Sequence, residues 1–65
     1  MVVIQVEGDG VTIRISKSEL VILSNALNET REAIEDWEFE TRVGASTVEA
    51  EGLRAELNAV LSQMN

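Results

Sequence analysis

The first sixteen residues alternate. Val2 to Glu7 reads Val-Val-Ile-Gln-Val-Glu and Val11 to Ser16 reads Val-Thr-Ile-Arg-Ile-Ser. This period-two pattern, rich in β-branched side chains, predicts two strands. Gly8-Asp9-Gly10 lies between them and is a tight-turn signal, so a β-hairpin is expected over residues 2–16. Val2, Ile4 and Val6 must share a side with Val11, Ile13 and Ile15. Placing Asp9-Gly10 as a two-residue turn pairs Val6 with Ile13, Ile4 with Ile15, Gln5 with Arg14 and Glu7 with Thr12. A three-residue loop would mix the faces, whereas a four-residue loop would also keep them matched. An isolated hairpin is marginal in water, so its apolar face is expected to lie in the core beneath helices.

The period then changes. Ser16-Lys17-Ser18-Glu19 fits a capping box, with Ser16 as N-cap and Glu19 at the third helical position. A helix is predicted over 17–35, with Leu20, Leu23, Leu27 and Ile34 on one stripe, broadened by Ile22, Ala26 and Ala33. Ser46-Thr47-Val48-Glu49 is a second capping box and opens a helix over 47–63. Its large apolar stripe is Leu53, Leu57, Val60, Leu61 and Met64. A second stripe of smaller residues holds Val48, Gly52, Ala55 and Ala59. The latter could seat a partner helix or could be plain helix-favouring alanine, with Gly52 costing about 1 kcal/mol relative to Ala.

Between the two helices, residues 36–45 form a connector with the only two aromatic side chains, Trp37 and Phe39. Their alternation with Glu38 and Glu40 suggests an extended stretch that buries both rings between the helices, and a short third strand over 37–42 is compatible with it. Exposed aromatic anchors for a partner are the alternative. Gly44 is expected at positive φ where the chain turns into the last helix. The fold class is therefore α+β in the order β-β-α-α, one small domain over residues 1–65.

Composition narrows the chemistry. At 65 residues a single core is barely sufficient, and there is no Cys or His. Disulfides and thiolate metal sites are excluded, and the commonest general base is missing. The serines and threonines are explained as caps and turns, so no activated nucleophile is evident and a non-enzymatic role is expected. Glu7, Asp9 and the acids further on could ligate calcium, but Gly8-Asp9-Gly10 lacks the alternating ligands of an EF-hand loop, and no metal or cofactor is expected. The glycine turn joins two strands and no lysine follows it, so it is no phosphate cradle. Self-association is the expected supplement to the core: neither strand carries Pro to blunt its edge, and a homodimer could pair edges or pack through the Gly52-Ala55-Ala59 stripe.

Charge carries the functional signal. The net charge is −7, with −1 over residues 1–28 and −6 over residues 29–65. Clustered Lys and Arg are missing, which disfavours nucleic acid and anionic membrane surfaces as partners. Neither a signal peptide nor a spanning segment is visible, and the cytoplasm is the expected compartment. Six acids, Glu29, Glu32, Glu35, Asp36, Glu38 and Glu40, fall within twelve residues, with only Arg31 among them. Most sit where a helix is expected to end, against its macrodipole. A chain that tolerates this arrangement can use it on a basic protein partner. In size and charge, though not in any motif, the chain is similar to small acidic bacterial immunity or antitoxin proteins that mask basic toxins. The expectation is a protein-binding domain of that kind. The alternative is a structural or regulatory small subunit whose acidic face confers only solubility.

Overall fold

The computed structural model describes residues 1–64. Strands β1 (Val2–Glu7) and β2 (Gly10–Arg14) form an antiparallel hairpin, followed by helices α1 (Lys17–Ala33), α2 (Asp36–Val43) and α3 (Thr47–Ser62). The architecture is α+β, in the order β-β-α-α-α. Both capping boxes are made: the Ser16 hydroxyl accepts from the Glu19 amide while the Glu19 carboxylate accepts from the Ser16 amide, and Ser46 and Glu49 repeat the arrangement. These reciprocal bonds satisfy amides that a helix start otherwise leaves unpaired.

The segment expected to be an extended connector with a third strand is instead α2. Gly44 does take positive φ, at 85°, and its amide closes on the Glu40 carbonyl, so it terminates α2. Ile34 and Glu35 are extended and separate α1 from α2, which shortens the first helix from the expected 35 to Ala33. No Pro or Gly marks that break, which is why helical spacing alone runs through it. What ends α1 is the start of α2: Asp36 and Glu38 place two acids in a first turn, Arg42 lies in the last, and a left-handed glycine follows.

The hairpin register also differs. Val6 pairs with Val11 and Glu7 with Gly10, so the two turn residues are Gly8 and Asp9. Gly8 has φ of 41° and Asp9 has no positive φ, the signs of a type II′ turn with glycine first. Val6 facing Val11 is the pairing that a four-residue loop also gives. Further along, Gln5 pairs with Thr12 but Val3 pairs with Ile13, so Ile4 is the extra residue of a bulge. The bulge gives an apolar face of Val3, Val6, Val11 and Ile13, with Gln5, Thr12 and Arg14 on the other side, where Val2 also lies opposite Arg14 rather than with Val6 as expected.

That face is not buried. Exposure of its side chains runs from 37% at Ile13 to 73% at Val6. Among the described residues the principal packing is β1 on β2, α1 on α3, and α2 lightly on α3, with no extensive packing of the hairpin on a helix. The expectation that Ile4, Val6, Ile13 and Ile15 form core beneath the helices is therefore corrected. Ile15 and Ser16 link β2 to α1, and the Met1 ammonium, just ahead of β1, donates to Glu19 Oε2 of α1 at 2.6 Å. Ser16 is extended at φ −77°, ψ 162°, so the hairpin is held at its base and leaves the helical pair beyond it.

The core is correspondingly small. Leu20, Phe39 and Ala50 are its buried apolar residues, joined by buried Ser24. Helices α1 and α3 are antiparallel: the Ser24 hydroxyl donates to the Asn58 side-chain carbonyl at 2.6 Å, and Arg31 Nε donates to Glu51 Oε1 at 3.1 Å. The contact lines are Leu20–Ser24–Leu27–Arg31 on α1 and Ala50–Arg54–Leu57–Leu61 on α3, both at helical spacing. Arg54 Nε is buried on this seam without a hydrogen-bond partner, which opposes stability. Among the described residues no helix is long and apolar enough to cross a membrane.

Candidate functional site

Helix geometry decides the fate of the two aromatics. Positions two apart in a helix point about 200° apart, so period-two alternation separates Trp37 from Phe39. Phe39 is fully buried at 0% exposure, whereas Trp37 is 80% exposed. Phe39 is thus core and no anchor. Trp37, expected to share that core, stands in solvent. A large indole left that open is an unusual use of the most apolar surface a side chain can offer.

The acids are partly regrouped by the new helix boundary. Glu29 and Glu32 lie in the last turns of α1, where the macrodipole disfavours them. Glu35 is the N-cap residue of α2, and Asp36 and Glu38 are in its first turn, where the dipole favours them. The expectation that most of the run crowds a helix C-terminus is corrected accordingly: of the six, Glu29 and Glu32 lie at the end of α1. Two of the acids are also paired. Arg31 Nη1 donates to Asp36 Oδ1 at 3.0 Å, and Arg42 Nε donates to Glu38 Oε1 at 3.3 Å within α2. Through Asp36 and Glu51, Arg31 ties all three helices at one corner. Exposed pairs of this kind contribute little each, so their effect is mainly positional.

Around that corner lies a shallow open concavity. Glu32, Glu35 and Asp36 line it beside Trp37, together with Asn28, Arg31 and Ile34. Glu51 completes it from α3. Four carboxylates stand against one guanidinium, so the formal balance is strongly negative around an exposed indole. Glu29, Glu38 and Glu40 do not line it. Glu51 was missed in the sequence because it is remote from the acidic run; the antiparallel α1–α3 pairing and the Arg31 fork bring it in.

The arrangement can attract and seat a cation. Carboxylates focus positive charge at a surface, and an indole face binds guanidinium or ammonium groups through its ring quadrupole. Among the described residues no three acidic side chains converge closely enough to hold a metal ion. The carboxylates with lowered pKa values are elsewhere. The terminal ammonium of Met1, with the Ser16 amide and hydroxyl, holds Glu19 down to about 2, and Ser46 lowers Glu49. Both are cap residues whose shifts come from hydrogen bonds to the ionised form. Comparison with protein-family models, curated proteins and solved structures found no match to this chain.

Proposed function

We propose that this chain is a non-enzymatic, cytoplasmic protein-binding domain that self-associates and presents an acidic face to a basic protein partner. The observation that carries the reading is Trp37, 80% exposed and set among Glu32, Glu35, Asp36 and Glu51. Tryptophan is enriched among residues that dominate binding energy, and arginine is its usual cationic partner. Masking a basic toxin, in the manner of small acidic immunity and antitoxin proteins, is the form of this role that the charge suits. The rest of the acidic run steers a basic partner toward the indole and makes capture salt-sensitive.

A second reading has its own support. Asp36 and Glu38 are accounted for by the first turn of α2 and by Arg31 and Arg42, so they need no partner to explain them. On that view the chain is a small structural or regulatory subunit and the remaining acids maintain solubility. Pull-down from the native host with mass spectrometry separates the two, using the native chain, Trp37→Ala, and Glu32, Glu35, Asp36 and Glu38 all changed to Gln. Under the first reading both variants lose the same basic protein, and salt releases it from the native chain. Retention by both variants with unchanged salt dependence leaves only the second.

A further inference from the structure

The apolar surface left open by this fold has a definite shape. On the hairpin it consists of Val3, Ile4, Val6, Val11 and Ile13, all exposed. On the helices Val21, Ile22 and Val48 are exposed singly, and Leu23 on α1 with Leu53 and Val60 on α3 are exposed beside the α1–α3 contact lines. Leu23 follows Leu20 by three positions, as Leu53 follows Ala50 and Val60 follows Leu57. In antiparallel helices that face each other, equal offsets from the contact lines fall on the same side of the pair. The three side chains therefore share one face. At the hairpin base, Met1 and Ile15 line an open, mostly apolar concavity with Ile22, Leu23 and the Glu19 carboxylate, so the hairpin and α1 surfaces adjoin there.

The amount of open surface is that of half an assembly. A folded monomer of this mass exposes about 4,100 Å², whereas this chain exposes 5139 Å². The surplus of roughly 1,000 Å² is comparable with the ~800 Å² that each partner buries in a standard interface. The Cα radius of gyration of 13.3 Å likewise exceeds the ~11 Å of a compact chain this long. The body is flattened, with extents of 36 × 31 × 15 Å.

We propose that the occupant of this surface is a second copy of the chain, in a two-fold dimer where each hairpin lies across the helical face of its partner. The inference rests on the self-associating part of the proposed function and specifies its geometry. Both halves of the contact are present in one chain, and within it they touch only at the hairpin base, so the length of the hairpin is left uncovered. A two-fold arrangement uses each surface twice and covers both, as an isologous interface must. Chains of like charge repel, and the eight side chains named for the contact carry no charge. The Trp37 concavity lies at the α1 end remote from the hairpin and stays open.

The native chain has no cysteine, so single introduced thiols report contacts cleanly. Sedimentation equilibrium of the unaltered chain at micromolar concentration is expected to give twice the 7.1 kDa chain mass. Mixing Val6→Cys chains with Leu53→Cys chains under mild oxidation is expected to give a cross-linked pair containing one of each. Either variant alone is expected to give little. Both positions are exposed in the single chain, so neither substitution disturbs its core. A species of 7.1 kDa throughout would overturn the geometry and the self-association together. A dimer in which Val6→Cys chains cross-link mainly to each other overturns the geometry alone and means hairpin against hairpin. Leu53→Cys chains doing so means helix face against helix face, with the same consequence. None of these outcomes depends on the acidic concavity, whose failure would show only in the pull-down.

Discussion

Phe39 and Trp37 offer a matched pair of perturbations on one short helix. Phe39→Ala removes a ring that is 0% exposed, in a core whose other buried apolar residues are Leu20 and Ala50. Truncating a buried Phe to Ala costs about 3–5 kcal/mol, through lost transfer energy and the cavity left behind. A chain of 65 residues has about 3–10 kcal/mol of stability in total. The substitution should therefore remove much or all of it. Trp37→Ala removes an even larger ring from a site 80% exposed. Surface changes usually fall within about 0.5 kcal/mol, and Ala recovers a few tenths in helix propensity, so stability should hardly change. Urea titration followed by far-UV circular dichroism reads helix without relying on the deleted indole; a fixed protein concentration keeps association constant. Equal losses in the two variants would mean that both rings are buried, as in an extended segment, and the assignment of α2 would be wrong. A loss below about 1 kcal/mol for Phe39→Ala would deny it the core.

Ser46→Ala removes the side chain that caps α3 and should lower stability by about 0.5–2 kcal/mol in the same titration; an unchanged midpoint would refute the cap. Gly44→Ala forces a side chain into φ of 85° and should cost about 1–2 kcal/mol although nothing crowds the site, whereas Gly52→Ala in open space on α3 should stabilise by about 1 kcal/mol. Asp36→Asn and Glu38→Gln each remove a charge favoured in the first turn of α2 and should destabilise by about 0.3–1 kcal/mol; a gain would restore the view that these acids oppose a helix C-terminus. Glu19 has a folded pKa of about 2, below its ordinary 4.5, so its contribution is complete above about 4.5 and is lost as pH falls toward 2. Glu49 acts in the same direction. Midpoints measured from pH 6 to 2 should fall less for Glu19→Gln than for the native chain, and parallel curves would refute the linkage.

Local signals in the sequence carried the elements they describe. Both capping boxes place helix starts, and the alternation on either side of Gly8-Asp9-Gly10 places the hairpin and the sides of β2, but beyond Gln5 the bulge exchanges Val2 for Val3 on the apolar side of β1. The register slipped because two turn positions both keep the faces matched, and the bulge at Ile4 has no sequence signature among β-branched residues. At α2 two periodicities competed. Trp37 and Phe39 alternate with acids as in a strand, but acids ahead of Arg42 and Gly44 mark a short helix, and the end signals were the better guide. Burial was the least legible property. Alternation states which side of a strand is apolar, not what covers it, and the two-residue link to α1 leaves that side bare.

The acidic corner and the bare face of the hairpin differ in chemistry, and within one chain they lie at opposite ends of α1. Helix α1 has 17 residues and is about 25 Å long, while charges in physiological salt are screened over about 8 Å. The Arg31 corner with Trp37 lies near one end of this helix and the hairpin springs from the other. Within one chain the hairpin is therefore largely screened from that corner. In the proposed dimer, by contrast, the partner's hairpin reaches Leu53, two residues from Glu51 of the corner, so repulsion acts there against the apolar contact. Dimerisation would place two such acidic corners on one particle, doubling the −7 available to steer a basic partner. Salt acts oppositely on the two processes: it weakens capture at the carboxylates, yet relieves the repulsion between copies that an apolar contact must overcome.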